Sequence, residues 1–288
     1  MYAVLGVSGN TGRVVAERLL ALGRDVRVVV RDAAKGEAWR ARGADVAVAD
    51  LFDAAALTEA FRGVDGAYVL LPPSPASSDF VAEQARKTDA IAEAARASGL
   101  PHLVLLSSVA AQWPAGTGPI VTVHHAEKVL RAAVPATTFV RAAYFVENWG
   151  GSLGGVADGI FPTFLRPDVA LDMVTTDDIG RTAADALLAG PNGHEIIELA
   201  SGHRPWSPRE IGAIASRLVG RDLQVVHAPE DAIVPTLTSY GMSGDVAGLY
   251  REMIATFNTA DGDGWERSGR FVRTPTTPDA TIAKLLGR

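Results

Sequence analysis

The sequence predicts an α/β protein built on a doubly wound parallel sheet, with a second, smaller α/β lobe. Short, almost wholly apolar runs such as 3–5 and 102–107 alternate with amphipathic helical stretches along the first half of the chain. Strands of this kind are typical of a parallel sheet covered by helices on both faces. A glycine-rich loop at 6–12 joins the first apolar run to the first helical stretch. The second half carries no catalytic motif of its own, which predicts the smaller lobe.

Composition excludes several classes of function. The chain has 288 residues, 48% of them hydrophobic, which supports a substantial core. A net charge of −6 argues against a nucleic-acid-binding surface. The absence of cysteine excludes disulfides and thiolate chemistry. No charged leader and no apolar run of membrane-spanning length is recognisable, so we expect a cytoplasmic protein, monomeric or homodimeric, that binds neither nucleic acid nor membrane.

The loop at 6–12 has the spacing Gly-x-x-Gly-x-x-Gly and stands between a predicted strand and a predicted helix over 13–22. In this geometry the unpaired N–H groups of the first helical turn face outward, and the helix dipole favours an anion there. Glycine permits the tight turn, the approach of the backbone to a pyrophosphate and the close packing of helix on strand. Asn10 and Thr11 are candidate helix caps and phosphate donors. The sequence therefore predicts a dinucleotide site, the Rossmann arrangement, that includes Gly6, Ser8, Gly9, Asn10, Thr11 and Gly12.

The end of the second predicted strand, 25–30, indicates which dinucleotide binds. An acid at this point would favour NAD(H), whereas a basic residue accommodates a 2′-phosphate. Arg31 and Lys35 stand there, and an arginine can bind a phosphate through two parallel hydrogen bonds. The sequence therefore predicts NADP(H), although Asp32 between them would suit NAD(H).

Three further residues are predicted to contact the cofactor. The third predicted strand ends at Asp50 and Leu51, where an acid would lie near an adenine amino group and a leucine could cover the ring. Alternatively, Asp50 caps the helix 53–61 that follows. Leu71 ends the fourth predicted strand at the same edge of the sheet, where the ligands of such sheets bind.

The fifth predicted strand ends in Ser107 and Ser108, and the helix after it carries His124 and Lys128. Ser107 could donate a hydrogen bond to the ribose or to a substrate, or the two serines could simply form a polar turn. His124 and Lys128 are one helical turn apart and share a face. Histidine titrates near neutrality, so His124 could act as a general acid. Alternatively, it could merely fill space or hydrogen-bond the ribose.

These features resemble the short-chain dehydrogenases of the extended or atypical branch, which use a Tyr-x-x-x-Lys pair on this helix. Here the pair is His124 and Lys128, and His-x-x-x-Lys in that place is similar to the NmrA-like family. The segments 30–32, 139–149 and 176–180 carry further marks of that family. The resemblance implies that Lys128 contacts the nicotinamide ribose. It also implies an NADPH-dependent reductase, although the family includes nucleotide-sensing regulators without known turnover.

Aromatic residues follow the sixth predicted strand and are expected over the nicotinamide end of the cofactor. Tyr144 is the candidate that faces the pocket, where a flat ring suits a planar substrate. Phe145 and Trp149 are expected to pack in the core between the two lobes.

We predict a dinucleotide-binding domain over 1–148, to which 169–190 returns, and a smaller substrate or lid domain over 149–288. Apart from the pair at 124 and 125, the histidines are scattered without metal-ligand spacing, so no metal site is predicted.

The leading hypothesis is an oxidoreductase that transfers hydride from NADPH to a quinone or to a similar planar, conjugated carbonyl or imine. In such an enzyme the protein mainly positions the nicotinamide and the acceptor against each other. The alternative is an NADP(H)-sensing regulatory protein with little or no catalysis, and the missing tyrosine is its best argument. A sugar-nucleotide epimerase is disfavoured by the missing tyrosine and the short C-terminal half. Fold alone does not decide among these functions.

Overall fold

The computed structural model describes residues 1–259 and 266–288, and its centre is a large, mostly parallel β-sheet. The strands are β1 (Tyr2–Leu5), β2 (Val26–Val30), β3 (Asp45–Val48), β4 (Gly66–Val69), β5 (His102–Ser108), β6 (Ala136–Ala142), β7 (Tyr144–Phe145), β8 (Ile160–Thr163), β9 (Leu171–Val174), β10 (His194–Trp206), β11 (Gln224–His227) and β12 (Arg270–Thr274). The α-helices are α1 (Asn10–Ala21), α2 (Glu37–Arg40), α3 (Ala54–Phe61), α4 (Phe80–Ser98), α5 (Val121–Ala133), α6 (Thr176–Ala189), α7 (Pro208–Val219), α8 (Ile233–Ser239), α9 (Gly244–Thr259) and α10 (Pro278–Leu285). Segments of 3-10 helix lie at Ala33–Gly36, Gly118–Ile120, Val146–Asp158 and Glu230–Ala232.

The order of the strands is that of a dinucleotide-binding sheet. In the described ranges it runs β3-β2-β1-β4-β5-β6-β10-β9-β7, and β12 pairs with β10. Strands β1 to β6 are parallel to their neighbours, β10 is parallel to β6 and β12, and β9 is antiparallel to β10. The sequence order reverses between β1 and β4, and ligands of such sheets bind beyond the carboxyl ends of the strands at this point. The predicted doubly wound parallel fold is confirmed.

Helices bury both faces of the sheet. On one face α1 and α6 pack over a core that contains Leu19 and Tyr68. On the other face α3, α4 and α5 pack over a core that contains Leu57 and Phe139. All four side chains are 0% exposed, and burial of such apolar surface is the main force that holds these layers together.

A third core lies beyond the sheet, around Trp149, Phe161 and Ile211, next to the small parallel pair β8 and β11. Most of its residues come from the segment 149–288 that was predicted as the smaller domain, and Ala110, Ala111, Ile120 and Val146 complete it. The division of the chain into two domains at 148 remains a prediction. The strands β10 and β12 lie in the second segment, yet they are hydrogen-bonded to the main sheet next to β6, so this segment contributes to both parts.

Side-chain caps set the start of several helices. The Asp53 carboxylate accepts the N–H of Ala56 at 2.9 Å and begins α3. Ser207 and Glu210 form a capping box at the start of α7. Within the ranges that the structure describes, no helix combines the length and apolar character needed to cross a membrane.

Gly180 lets α6 approach α1. A Cβ at this position would lie 2.5 Å from Cβ of Val14 and 2.9 Å from the carbonyl oxygen of Thr11. We expect Gly180→Ala to lower the free energy of unfolding by about 1–3 kcal/mol, because overpacking outweighs the better helix propensity of alanine. Urea denaturation measures the change. Gly248→Ala in α9 is the control, since a Cβ there meets no atom within 4 Å. Equal stability changes in the two variants would contradict this account of the helix packing.

Candidate active site

The loop after β1 forms an anion cradle at the start of α1. Gly6 has φ +69° and its carbonyl accepts the N–H of Gly9 at 2.9 Å, which closes the turn. Gly9 is the N-cap residue of α1, and no side chain caps the helix. Asn10 and Thr11 therefore do not cap it as predicted, since both lie inside the helix. The N–H groups of its first turn are left for an anionic ligand.

Two residues at this cradle, Gly12 and Thr11, decide its shape. A Cβ on Gly12 would lie 2.5 Å from the carbonyl oxygens of Leu5 and Gly6, so only glycine allows this approach of helix to strand. The Thr11 hydroxyl is buried and accepts a hydrogen bond from the Tyr68 hydroxyl at 2.9 Å. Its side chain is therefore engaged in the core rather than directed to a phosphate as predicted, and Thr11 can offer a ligand its backbone N–H.

Exposed cations follow β2, as predicted. Arg31 and Lys35 are both exposed, and neither makes an ion pair with any residue of the described ranges. The carboxylate of Asp32 accepts the N–H of Ala34 at 2.9 Å and starts the short helical turn that carries Lys35. The Asp32 carboxylate is thus engaged by the neighbouring backbone. The side chains of Arg31 and Lys35 remain exposed to a ligand at this edge of the sheet.

In the turn after β3, Asp50 does not cap α3, which was the alternative considered for it. Its carboxylate accepts the N–H of Phe52 at 2.9 Å, while Asp53 is the residue that caps α3. Leu51 and Leu71 are half-buried at this edge of the sheet. The 48% exposed ring of Phe52, with Nζ of Lys87 5.5 Å from its centre, was not anticipated. The sequence signal that could have identified Phe52 is an aromatic residue in the turn between Asp50 and Asp53.

A buried ion pair ties the loop after β4 to α4. Nζ of Lys87 lies 2.8 Å from the carboxylate of Glu83 and donates to Oγ of Ser74 at the same distance. The hydrogen bond from Lys87, followed by that from Ser74, lowers the pKa of Glu83 to about 2. The carboxylate therefore stays charged, and the loop stays attached, throughout the physiological pH range.

The proton of the Ser107 hydroxyl is engaged in the core. The hydroxyl is buried and donates to Oε1 of Glu127 at 2.6 Å, whereas the prediction had it donating to the ribose or to a substrate. Glu127 also accepts two hydrogen bonds from Arg141, at 2.8 and 2.7 Å. Nη1 of Arg141 donates in addition to Glu198 at 3.2 Å and to Ser268 at 2.7 Å.

This cluster determines the charge of Arg141. Burial alone would lower the pKa of its guanidinium, but the hydrogen bonds and charges of Glu127 and Glu198 outweigh burial and raise that pKa above its usual value. Arg141 is therefore a permanent cation that two acidic side chains share beneath α5.

The two predicted residues of α5 lie one turn apart, but they differ in environment. Nδ1 of His124 lies 2.8 Å from the carbonyl oxygen of Ala111, and the ring is half-buried. Lys128 is exposed and makes no ion pair within the described ranges. The Nε2 of the neighbouring His125 is buried without a hydrogen-bond partner among the described residues.

Tyr144 lies in an aromatic cluster. Its ring centre is 5.5 Å from that of Trp149 and 6.0 Å, edge to face, from that of Phe257. Burial, together with the nearby Tyr250, raises the pKa of the Tyr144 hydroxyl well above its usual range, so it remains protonated at neutral pH. Trp149 is 2% exposed and packs in the third core, as predicted.

A small cleft opens beside Tyr144, between the carboxyl end of β6, the start of β9 and the segment that precedes β12. Neither His124 nor Lys128 lines it. The loop after β5 connects the two places, because Ala111 contacts His124 and the next residue, Gln112, lines the cleft. The walls combine flat rings with charged groups and include Val109, Gln112, Arg141, Ala143, Tyr144, Leu171, Asp172, Glu198, Phe257 and Phe271.

No arrangement of three or more His, Asp or Glu side chains suited to a metal ion occurs in residues 1–259 and 266–288. The candidate site is therefore described by the anion cradle, the two cations after β2, the α5 pair and the aromatic cleft.

A model of the NmrA-like family matches residues 2–269. The chain belongs to the NmrA-like family. This confirms the resemblance that the sequence indicated. Quinone oxidoreductase 2 of Escherichia coli K12 is 27% identical over an aligned length of 305 residues, with 100% of this chain and 94% of the relative covered. The (4-alkanoyl-5-oxo-2,5-dihydrofuran-3-yl)methyl phosphate reductase of Streptomyces griseus is 32% identical over 236 residues, covering 81% of this chain and 78% of the relative.

Solved structures share the fold of this NmrA-like protein. The triphenylmethane reductase of Citrobacter sp. matches with a TM-score of 0.82 at 20% identity, with coverage of 100% of this chain and 99% of the other. The quinone oxidoreductase QOR2 of Escherichia coli, crystallised with NADPH, matches with a TM-score of 0.80 at 24% identity, with coverage of 99% and 100%. The architecture is thus common to proteins of low sequence identity.

Arg141 provides a test of the buried cluster. We expect Arg141→Leu to lower the free energy of unfolding by about 3–5 kcal/mol, because it leaves Glu127 and Glu198 as buried charges without a cation. Chemical denaturation at neutral pH measures the loss. Arg209→Leu is the control, because its ion pair with Asp168 has side chains that are 61% and 76% exposed and should contribute little to stability. Similar small losses in both variants would contradict the assigned role of Arg141.

Proposed function

We propose that this NmrA-like protein is an NADPH-dependent oxidoreductase that transfers a hydride to a quinone or to a similar flat, conjugated carbonyl or imine. The observation that carries the proposal is the uncapped start of α1, shaped by Gly12, with the cations Arg31 and Lys35 at the adjoining strand end. A helix N-terminus of this kind suits a diphosphate, and two cations suit a further phosphate.

The residues present fit NADP(H) along the carboxyl edge of the sheet. The first turn of α1 would hold the diphosphate, with Ser8 and the N–H groups of 10–12 as donors. Arg31 and Lys35 would hold the 2′-phosphate, and Asp50 with Leu51 the adenine. Lys128, exposed on α5, would bind the nicotinamide ribose. The bound NADPH would supply the hydride, so the protein has to position the acceptor and exclude water.

The cleft beside Tyr144 is the proposed acceptor site. Its aromatic wall, formed by Tyr144, Phe257 and Phe271, suits a planar molecule. Relatives support this class of substrate, because their names include a quinone oxidoreductase, an azoreductase and a triphenylmethane reductase. The Tyr144 hydroxyl, which stays protonated, can donate a hydrogen bond to an acceptor oxygen at this wall.

A second candidate is an NADP(H)-sensing regulatory protein, favoured by the replacement of the catalytic tyrosine by His124. It would use the same cradle and the same cations but would need no acceptor in the cleft. The two functions therefore differ in turnover rather than in cofactor binding.

Turnover is tested first. We expect oxidation of NADPH, followed by loss of the near-ultraviolet absorbance of the reduced nicotinamide, to require both the protein and a quinone, and to be slower with NADH. A panel of quinones, an azo dye and a triphenylmethane dye would rank the acceptors. Tight binding of NADPH without turnover on any of these acceptors would favour the sensor and overturn the reductase proposal.

Arg31 tests the choice of cofactor. We expect Arg31→Ala to weaken NADPH binding about tenfold or more and to leave NADH binding nearly unchanged, because the lost contact is a charge-assisted hydrogen bond to the 2′-phosphate. Titration of both nucleotides by calorimetry measures the difference. Arg24→Ala is the control, since Arg24 is an exposed arginine that precedes β2, at the opposite end of the strand. Equal weakening of both nucleotides by Arg31→Ala would exclude the phosphate assignment.

A further inference from the structure

The corner between β5 and α5 contains a strained residue. Ala110 has φ +67°, and it is the one non-glycine residue with positive φ among those described. This conformation is unfavourable for an L-residue with a side chain and persists where surrounding structure enforces it. Ala110 and Ala111 are both 0% exposed, and the N–H of Ala111 donates to the carbonyl of Ser108 at 3.1 Å. The corner is therefore a fixed element rather than a loose connection.

The corner presents a carbonyl to the candidate active-site histidine. The carbonyl oxygen of Ala111 lies 2.8 Å from Nδ1 of His124. A carbonyl oxygen carries no proton and can only accept, so Nδ1 of His124 must carry the proton of this hydrogen bond. A neutral imidazole has one ring proton, and its Nε2 then holds a lone pair.

Nε2 of His124 is open to a ligand. It makes no hydrogen bond with the described residues, and it is not sealed from solvent, whereas Nε2 of His125 is. Lys128 lies one turn further on the same side of α5 and is exposed. A neutral His124 ring therefore offers a ligand an acceptor at Nε2, beside the cation of Lys128.

We propose that the Ala110–Ala111 corner is a positioning element that holds His124 as a hydrogen-bond acceptor, so that Nε2 binds a hydroxyl group of the ligand. This rests on the proposed function, since the hydroxyl belongs to a ribose of NADPH or to the reduced acceptor. In this state the neutral ring has no proton to donate from Nε2. His124 thus differs from the tyrosine of the related dehydrogenases, whose hydroxyl carries a proton that can be donated.

Two variants, His124→Asn and His124→Gln, distinguish the contribution of Nδ1 from that of Nε2. In His124→Asn the amide nitrogen can take the place of Nδ1 and keep the bond to Ala111, whereas nothing replaces Nε2. In His124→Gln the amide reaches the position of Nε2, whereas the bond to Ala111 is lost. We expect Asn to keep the melting temperature and to weaken the hydroxyl contact about five- to tenfold. We expect Gln to lower the melting temperature and to retain more of the ligand binding than Asn does.

The affected ligand identifies the hydroxyl. A rise in the dissociation constant of NADPH, measured without acceptor, assigns the contact to a ribose. An unchanged NADPH constant with weaker binding of a hydroquinone assigns it to the reduced acceptor. Equal behaviour of the Asn and Gln variants in both stability and binding would overturn the proposal.

A spectroscopic signature tests the tautomer itself. With ¹⁵N-labelled histidine at a pH where the neutral ring dominates, the His124 signals, assigned by their absence in His124→Asn, should show a protonated Nδ1 and an unprotonated Nε2. A protonated Nε2 would overturn the proposal. Because this measurement needs neither NADPH nor turnover, it can fail while the reductase function stands. Absence of quinone-dependent NADPH oxidation would remove that function without changing the tautomer.

Discussion

A buried arginine joins the end of the dinucleotide-binding sheet to the helix that carries the candidate active-site residues. Arg141 on β6 is 4% exposed and binds Glu127 of α5 and Glu198 of β10. Taking ions out of water is costly and is compensated only when the partners are close and well aligned. The three elements must therefore meet in one register, and that requirement sets the position of α5 against β6 and β10.

The direction of the α5 side chains follows from the same contact. Glu127 is held against the sheet by Arg141 and Ser107, so α5 cannot rotate about its own axis without breaking buried hydrogen bonds. His124 and Lys128, one turn apart, then keep fixed directions relative to this contact. Hydride transfer depends on the placement of the reacting groups to within fractions of an ångström. A rigid helix is therefore a physical requirement of the proposed reaction.

Sequence patterns predicted the parts of the site that depend on local chemistry. The anion cradle, the placement of the cations Arg31 and Lys35 and the alternation of strands with helices follow from periodicity, turn residues and helix electrostatics, all of which act between neighbours in the chain. The side chains of Ser107 and Thr11 were assigned to a ligand because they stand at the edge where ligands bind. Their partners, Glu127 and Tyr68, lie 20 and 57 residues away, and no local pattern shows such contacts. The pairing of β10 with β6 is a long-range contact for the same reason.

The two candidate functions, reductase and sensor, make different demands on the cradle and on the cleft. The cradle and the cations belong to the loops after β1 and β2, and they would serve a sensor as well as an enzyme. The cleft is different, because Phe257 near the end of α9 lines its aromatic wall, while Asp245 at the start of α9 accepts the N–H of Phe80, the first residue of α4, at 2.9 Å. A sensor of NADP(H) needs no second site of this kind, whereas a reductase must hold a flat acceptor and shield it from water. The reductase proposal therefore depends on this wall, and the sensor does not.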